Sequence, residues 1–226
     1  MRQLVFLLIV ISFSCGKEKS IQLPEITHST IHEVSNVSSA YIFYNENEKD
    51  SVELNRNQLV ASTTWLLNVD KRLTLRQAIP SIVLMQEEKK NERSDEKSKN
   101  LYSCNDVSNK KLAYQDFSEV VYHNGIDENI VENQGLYDTE IDETNHILSI
   151  LFKENDSITI NSAHSTKNEF IEKLKYMDSI QDKIMGVVYL KFNENLTFQE
   201  YITYKSMLSR LKLKHAIISN DEYIFN

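Results

Sequence analysis

The stretch TTWLLNVDKRLTLRQAIP, residues 63–80, and the stretch VVYLKFNENLTFQEYIT, residues 187–203, follow one pattern. Each has an apolar strand, a turn with an acid or amide, then Leu-Thr, then helical spacing. Strands alternate with a period of two and helices with a period near 3.6. A chain that switches period twice at the same word is built from alternating strands and helices. Setting Leu73 on Leu196 puts Leu67 on Leu190, Val69 on Phe192, Asp70 on Asn193, Thr74 on Thr197 and Ile79 on Ile202. One reading is coincidence of a common α/β unit. The other is a diverged internal duplication. Agreement of strand phase, turn length and helix cap favours duplication.

Capping boxes mark the helix starts. In Thr74-Leu75-Arg76-Gln77, Thr166-Lys167-Asn168-Glu169 and Thr197-Phe198-Gln199-Glu200, a hydroxyl and an amide or carboxylate can satisfy orphan backbone N–H groups. Leu75, Ala78, Ile79, Ile82, Val83 and Met85 then share a face, with Pro80 placed to kink the helix. Phe170, Ile171, Leu174 and Met177 form a second apolar face; Phe198, Tyr201, Ile202, Leu208 and Leu211 form a third. Around them lie strand-like segments: TIHEV, AYIFYN, the hairpin HILSILFKENDSITINS, and KHAIIS and EYIFN at the end. The second half reads β-β-α-β-α-β-β. The class expected is α+β, with two small α/β sandwich domains.

The first fifteen residues, MRQLVFLLIVISFSC, combine one Arg with an apolar run from Leu4 to Phe13. Ten helical residues span ~15 Å, half a bilayer core, so the run suits a signal peptide better than a membrane span. Ser14-Cys15 resembles a bacterial lipoprotein signal, which implies lipidation at Cys15. Ser12 and Phe13 depart from its usual Leu and small residue, and ordinary signal-peptidase cleavage is the alternative. The expected division is signal 1–15, tether 16–27, a first α/β domain 28–123, an acidic linker 124–145 and a second domain 146–226. The mixed-charge run 87–100 reads as a solvated helix end and mobile loop.

A formal net charge of −8 argues against a duplex nucleic-acid binder and against a polybasic membrane patch. With Cys15 acylated, Cys104 is a lone thiol; a reactive or intermolecular role is one reading, and a half-buried small residue is the favoured one. His28 and His32 have the i, i+4 spacing of zinc ligands on a helix, but their strand-rich context and Thr/Ser neighbours argue against that site. Asp127, Asn129 and Glu132 hint at a calcium loop, yet Glu132 stands where an EF-hand needs Gly. No cofactor and no metal are expected. Asp70-Lys71-Arg72 reads as a strand-ending turn or, functionally, a charged contact.

The segments SITIN, KNEFIEKLKYM, VVYLKFNENLTF and YITYKSMLSRLKLKHAII resemble the periplasmic domain of the ExbD/TolR family of biopolymer transport proteins. That family has a strand, an acidic turn, a helix and a last strand able to pair with a partner; Asn193 and Glu194 would occupy the turn. The family's acid-bearing membrane helix has no counterpart here, so its motor role does not carry over. Through phrases such as NVDKRLTL and LPEI the chain also resembles exported lipoproteins of Gram-negative, Bacteroidetes-type bacteria. That likeness implies a place in the envelope and no particular reaction. The expectation is a lipid-anchored, periplasm-facing or surface protein that binds a protein partner or itself and is not an enzyme. Tyr223, Ile224 and Phe225, read as an unprotected edge strand, are the candidate contact, with Asp70 and Asn193 in the repeated turns. The alternative is an exported hydrolase with a site between the domains.

Overall fold

The computed structural model describes residues 19–91, 98–126, 147–180 and 186–226. In chain order, strands β1 (Glu25–Ile26), β2 (Val37–Tyr44), β3 (Val52–Asn55) and β4 (Thr64–Val69) precede helix α1 (Leu75–Asn91). Strands β5 (Asn100–Asp106), β6 (Lys111–Asp116), β7 (Val121–Ile126), β8 (Ile147–Phe152), β9 (Ser157–Ile160) and β10 (Ala163–Thr166) follow. Helix α2 (Phe170–Ser179), strand β11 (Gly186–Asn193), helix α3 (Phe198–Leu208) and strand β12 (Ala216–Phe225) close the chain. Among the described residues these make two six-stranded mixed sheets and three α-helices.

The first sheet runs β1-β5-β4-β2-β3, with β6 also paired to β5; the second runs β10-β9-β8-β11-β12-β7. Both contain the same path. In the first, β3-β2-β4-β5 has β2 parallel to β4 with Ala40 opposite Leu67 and Ile42 opposite Val69. In the second, β9-β8-β11-β12 has Ile150 opposite Leu190 and Phe152 opposite Phe192. These are the positions that the alignment of the two phrases equates.

The two phrases also touch. Thr74 and Thr197 form an antiparallel bridge. Leu75 N–H donates to the Leu196 carbonyl (2.8 Å) and Phe198 N–H to the Leu73 carbonyl (2.7 Å). Arg76 N–H donates to the Glu194 carbonyl (2.9 Å) and Gln199 N–H to the Lys71 carbonyl (3.2 Å). Under the same alignment each bond maps onto its mate, so the two phrases are related by a local pseudo-two-fold. The first N–H groups of a helix have no partner of their own. Here each helix start is satisfied by the other half's turn. The third N–H is met locally: Gln77 N–H reaches Thr74 Oγ1 at 3.4 Å and Glu200 N–H reaches Thr197 Oγ1 at 3.2 Å.

Burial follows from this contact. The inner faces of both sheets and the apolar faces of all three helices close on one cluster, which includes Leu67, Val69, Leu75, Ile79, Tyr102, Ile150, Phe152, Phe192, Phe198 and Tyr201. The helix faces expected on α1 and α3 point into it, although Val83 and Leu211 are only partly buried.

Several expectations are corrected. The segments KHAIIS and EYIFN are one strand, β12, with a register shift that absorbs the residues between them. That strand is not an edge: β11 lies on one side and β7 on the other, and Ile224 and Phe225 are fully buried. The Thr166 box does not start a helix. Thr166 ends β10, and α2 begins at Phe170 after Glu169, which makes no side-chain cap. Strand β7 lies across the expected boundary at residue 123 and joins the second sheet, while residues 127–146, most of the expected linker, lie outside the described residues. Cys104 is fully rather than half buried.

Lys89 was expected in a solvated helix end and is buried. Its position on α1 turns it toward Trp65, whose ring centroid lies 5.0 Å from Nζ. Its ammonium donates to the Lys99 carbonyl and Asn100 Oδ1, both at 2.9 Å. Burial pulls its pKa down to about 8. The unfolded chain, with an ordinary lysine near ~10.4, binds more protons between these values, so stability rises with pH there. Urea unfolding at pH 8, 9 and 10 should show that rise, and Lys89→Met should flatten it. An equally steep rise in the variant would assign the effect to another group.

Candidate functional site

Polar groups converge in the core at one place. Tyr102 on β5, Tyr122 on β7 and Tyr201 on α3 form a chain of hydroxyls, 2.7 Å and 2.9 Å apart, that ends on Glu222 of β12. Tyr201 donates to Glu222 Oε2 (2.8 Å), and Lys205, one turn along α3, pairs with Glu222 Oε1. Each phenol has one proton. With Tyr201 committed to the carboxylate, Tyr122 must donate to Tyr201 and Tyr102 to Tyr122. Burial, with the nearby phenols and Glu222 adding to it, holds all three tyrosines well above their ordinary pKa. The chain ties a strand of the first sheet to two strands of the second and to α3. Its part is to fix how the halves dock; it offers no surface for a substrate.

The other face of the second sheet is different. Along β11 and β12 alternate residues point inward, leaving Tyr189, Lys191, Tyr223 and Phe225 on the outer side. Cross-strand pairing brings His123 of β7 opposite Tyr223, and their rings stack at 4.7 Å with an interplanar angle of 15°. Tyr189 meets Tyr223 edge-on at 6.3 Å. Asp221 accepts from His123 Nε2 at 2.7 Å, and the two side chains are 44% and 40% exposed. Lys191, opposite Tyr223, is buried and its pKa is lowered by that burial. Leu151 and Phe225 form a small separate cluster on the same side.

Asp70 and Asn193 end equivalent strands and do equivalent work. Asp70 Oδ1 accepts the Arg72 N–H (3.1 Å) and Asn193 Oδ1 accepts the Asn195 N–H (2.9 Å). Asp70 is buried and takes a two-pronged bond from the Arg72 guanidinium, 2.9 Å to Oδ1 and 2.8 Å to Oδ2. Arg72 in turn lies over the Tyr44 ring at 4.7 Å. Burial pushes the Asp70 pKa up, but bonds from Arg72 and from the Gln22 N–H outweigh it and hold it below the ordinary value. A carboxylate with a depressed pKa stabilises the fold above its unfolded pKa, near ~3.9, and loses that contribution as pH falls through the folded value. Asp70→Asn should therefore cost about 1–2 kcal/mol at pH 7, with the difference shrinking below pH ~4. A penalty unchanged at pH 3 would mean that shape, not charge, holds the turn.

The structure thus separates the candidate residues. Tyr223 is half-buried on the outer face, Ile224 and Phe225 are buried, and Asp70 and Asn193 are consumed in their turns. Cys104 is buried against the Tyr102 carbonyl, and that burial pushes its thiol up to about 12. His28 and His32 do not form a metal cluster; among the described residues no group of three or more His, Cys, Asp or Glu is placed to hold an ion. Asp127, Asn129, Glu132 and Cys15 lie outside the described residues. The tyrosine chain and the His123–Tyr223 stack escaped sequence reasoning because each depends on β7 reaching β12. One signal was present: Glu222 shares the inward phase of Ile224, two residues on, in an apolar strand.

The chain matches no protein-family model, no curated protein and no solved structure.

Proposed function

We propose that the chain is a lipid-anchored protein of the cell envelope that binds another protein through the outer face of its second sheet, without catalysis. The observation that carries this reading is the part-exposed cluster of His123, Tyr189 and Tyr223 with Asp221 beside it. The inner sides of the same strands are locked in the core, so these rings are held with little freedom to lose on binding. Rigid aromatic rings with polar tips are enriched at protein interfaces for that reason. The contact proposed is thus a sheet face rather than the strand edge expected from EYIFN. Anchoring rests on the sequence up to Cys15.

The resemblance to the ExbD/TolR periplasmic domain supports a place beside envelope transport or energy-transduction machinery. That resemblance is carried by the sequence pattern of strand, polar turn at Asn193, capped helix and last strand in the second half. Here the last strand takes its outer neighbour, β7, from the same chain.

The test is a Tyr189→Ala/Tyr223→Ala variant purified from detergent-extracted membranes beside the wild type. A specific co-purifying protein should be lost while the melting transition stays within a few degrees. Retention of every wild-type companion by a folded variant would remove the outer face as the contact.

A further inference from the structure

The described part of the expected tether, residues 19–27, is held against the body. Lys19 pairs with Glu53 of β3. Gln22 accepts the Lys71 N–H at 2.7 Å and donates its own N–H to Asp70 at 3.3 Å. The Pro24 and Ile26 carbonyls take the N–H groups of Asn105 (2.8 Å) and Val107 (3.0 Å), which places β1 against β5. The Gln199 side-chain amide clasps the Glu25 backbone both ways: Oε1 accepts its N–H at 2.8 Å and Nε2 donates to its carbonyl at 2.9 Å. Lys71 Nζ meets the Glu25 carboxylate at 2.6 Å, and the Ser206 hydroxyl donates to the His28 carbonyl at 3.1 Å. The strap is tied to the first half by Asp70, Lys71 and β5, and to the second by Gln199 and Ser206 on α3.

We propose that this strap fixes the orientation of the body on the membrane, with the β2–β3 hairpin, residues 45–51, and the free edge of β3 facing the lipid headgroups. The inference rests on the reading of Cys15 as the lipid-bearing residue. Four residues lead from Cys15 to Lys19, and a chain of that length reaches at most ~14 Å. Lys19 is held at Glu53, so that edge sits no further from the headgroups than this reach plus a side chain. A strap loose to residue 27 would leave twelve residues of slack; one bound from Lys19 onward leaves four. The hairpin side carries Glu46, Glu48, Asp50 and Glu53 against Lys19, Lys49 and Arg56. That balance is wrong for attraction to anionic lipid, which needs clustered Lys and Arg. The surface therefore fits a zwitterionic headgroup layer, approached because the anchor is short.

The test uses the full-length, natively processed protein in phosphatidylcholine vesicles that contain a headgroup-borne fluorescence quencher. A fluorophore is placed at Asn47→Cys in the hairpin or at Asn220→Cys in β12; the buried Cys104 thiol stays unlabelled at pH 7. Stronger quenching is expected at residue 47 than at residue 220. It should be lost when twenty Gly/Ser residues are inserted after Glu18, and should be insensitive to salt. Equal quenching at the two positions, or quenching at residue 47 that survives the insertion, overturns the orientation. Failure of the anchor reading looks different: Cys15→Ser binds vesicles as well as wild type, or the wild type does not bind, and the orientation falls with it.

Discussion

Lys205→Met is expected to destabilise the protein by about 3–5 kcal/mol, a drop in melting temperature on the order of 10 °C. Glu222 is fully buried, and the substitution leaves its carboxylate without a counter-charge in the core. The cost comes from stranding a charge more than from losing a favourable pair. A Lys205→Met/Glu222→Met double variant should accordingly recover much of the loss, because well-packed apolar replacements of buried ion pairs are often neutral or better. Tyr201 then lacks its acceptor, which leaves a residual penalty of about 1–3 kcal/mol. Urea unfolding of the wild type, the two singles and the double measures all of this. A Lys205→Met penalty below 1 kcal/mol would mean that water reaches Glu222 and that the hydroxyl chain does not lock the halves.

The second large effect lies at the pseudo-two-fold. The Phe198 ring is fully buried and packs edge-on against Tyr102 at 5.1 Å, while its N–H bonds the Leu73 carbonyl. Its mate, Leu75, is buried in the same cluster. Phe198→Ala should cost about 3–5 kcal/mol and Leu75→Ala about 2–5 kcal/mol, the usual range for large-to-small changes in a core. Residues in separate domains would add within ~0.5 kcal/mol, whereas residues sharing a packed contact depart from additivity by ~0.5–3 kcal/mol. Non-additivity in the double variant is expected. Simple additivity, with two resolved unfolding transitions, would mean that each phrase stabilises only its own half.

The repeated unit was legible because its signals are local. Strand phase, the polar turn and the capping residues Thr74 and Thr197 all lie within a few positions of one another. The inward faces of α1 and α3 were legible for the same reason. The Thr166 box failed because the same four residue types also suit a turn after a strand, and the β9–β10 hairpin claimed Thr166. The crossing of β7 to the second sheet was not legible. Nothing in VVYHNG says which strand it will join, and Val121 is separated from its partner Asp221 by most of the second half. That one long-range pairing turns EYIFN from a sheet edge into an interior strand, completes the tyrosine chain and assembles the His123–Tyr223 stack. The candidate contact surface was therefore hidden even where Tyr223 had been singled out.

The central structural claim is that the two copies of the strand–turn–helix phrase cap each other's helices and so make one cooperative body. Native-state hydrogen exchange at the amides of Leu75, Arg76, Phe198 and Gln199 tests it directly. All four are expected to exchange only through global unfolding, with the same free energy and denaturant dependence as core amides of β4 and β11. Exchange of these four through a lower-energy opening, while β4 and β11 stay protected, would show that the halves part as independent domains, and would contradict the account.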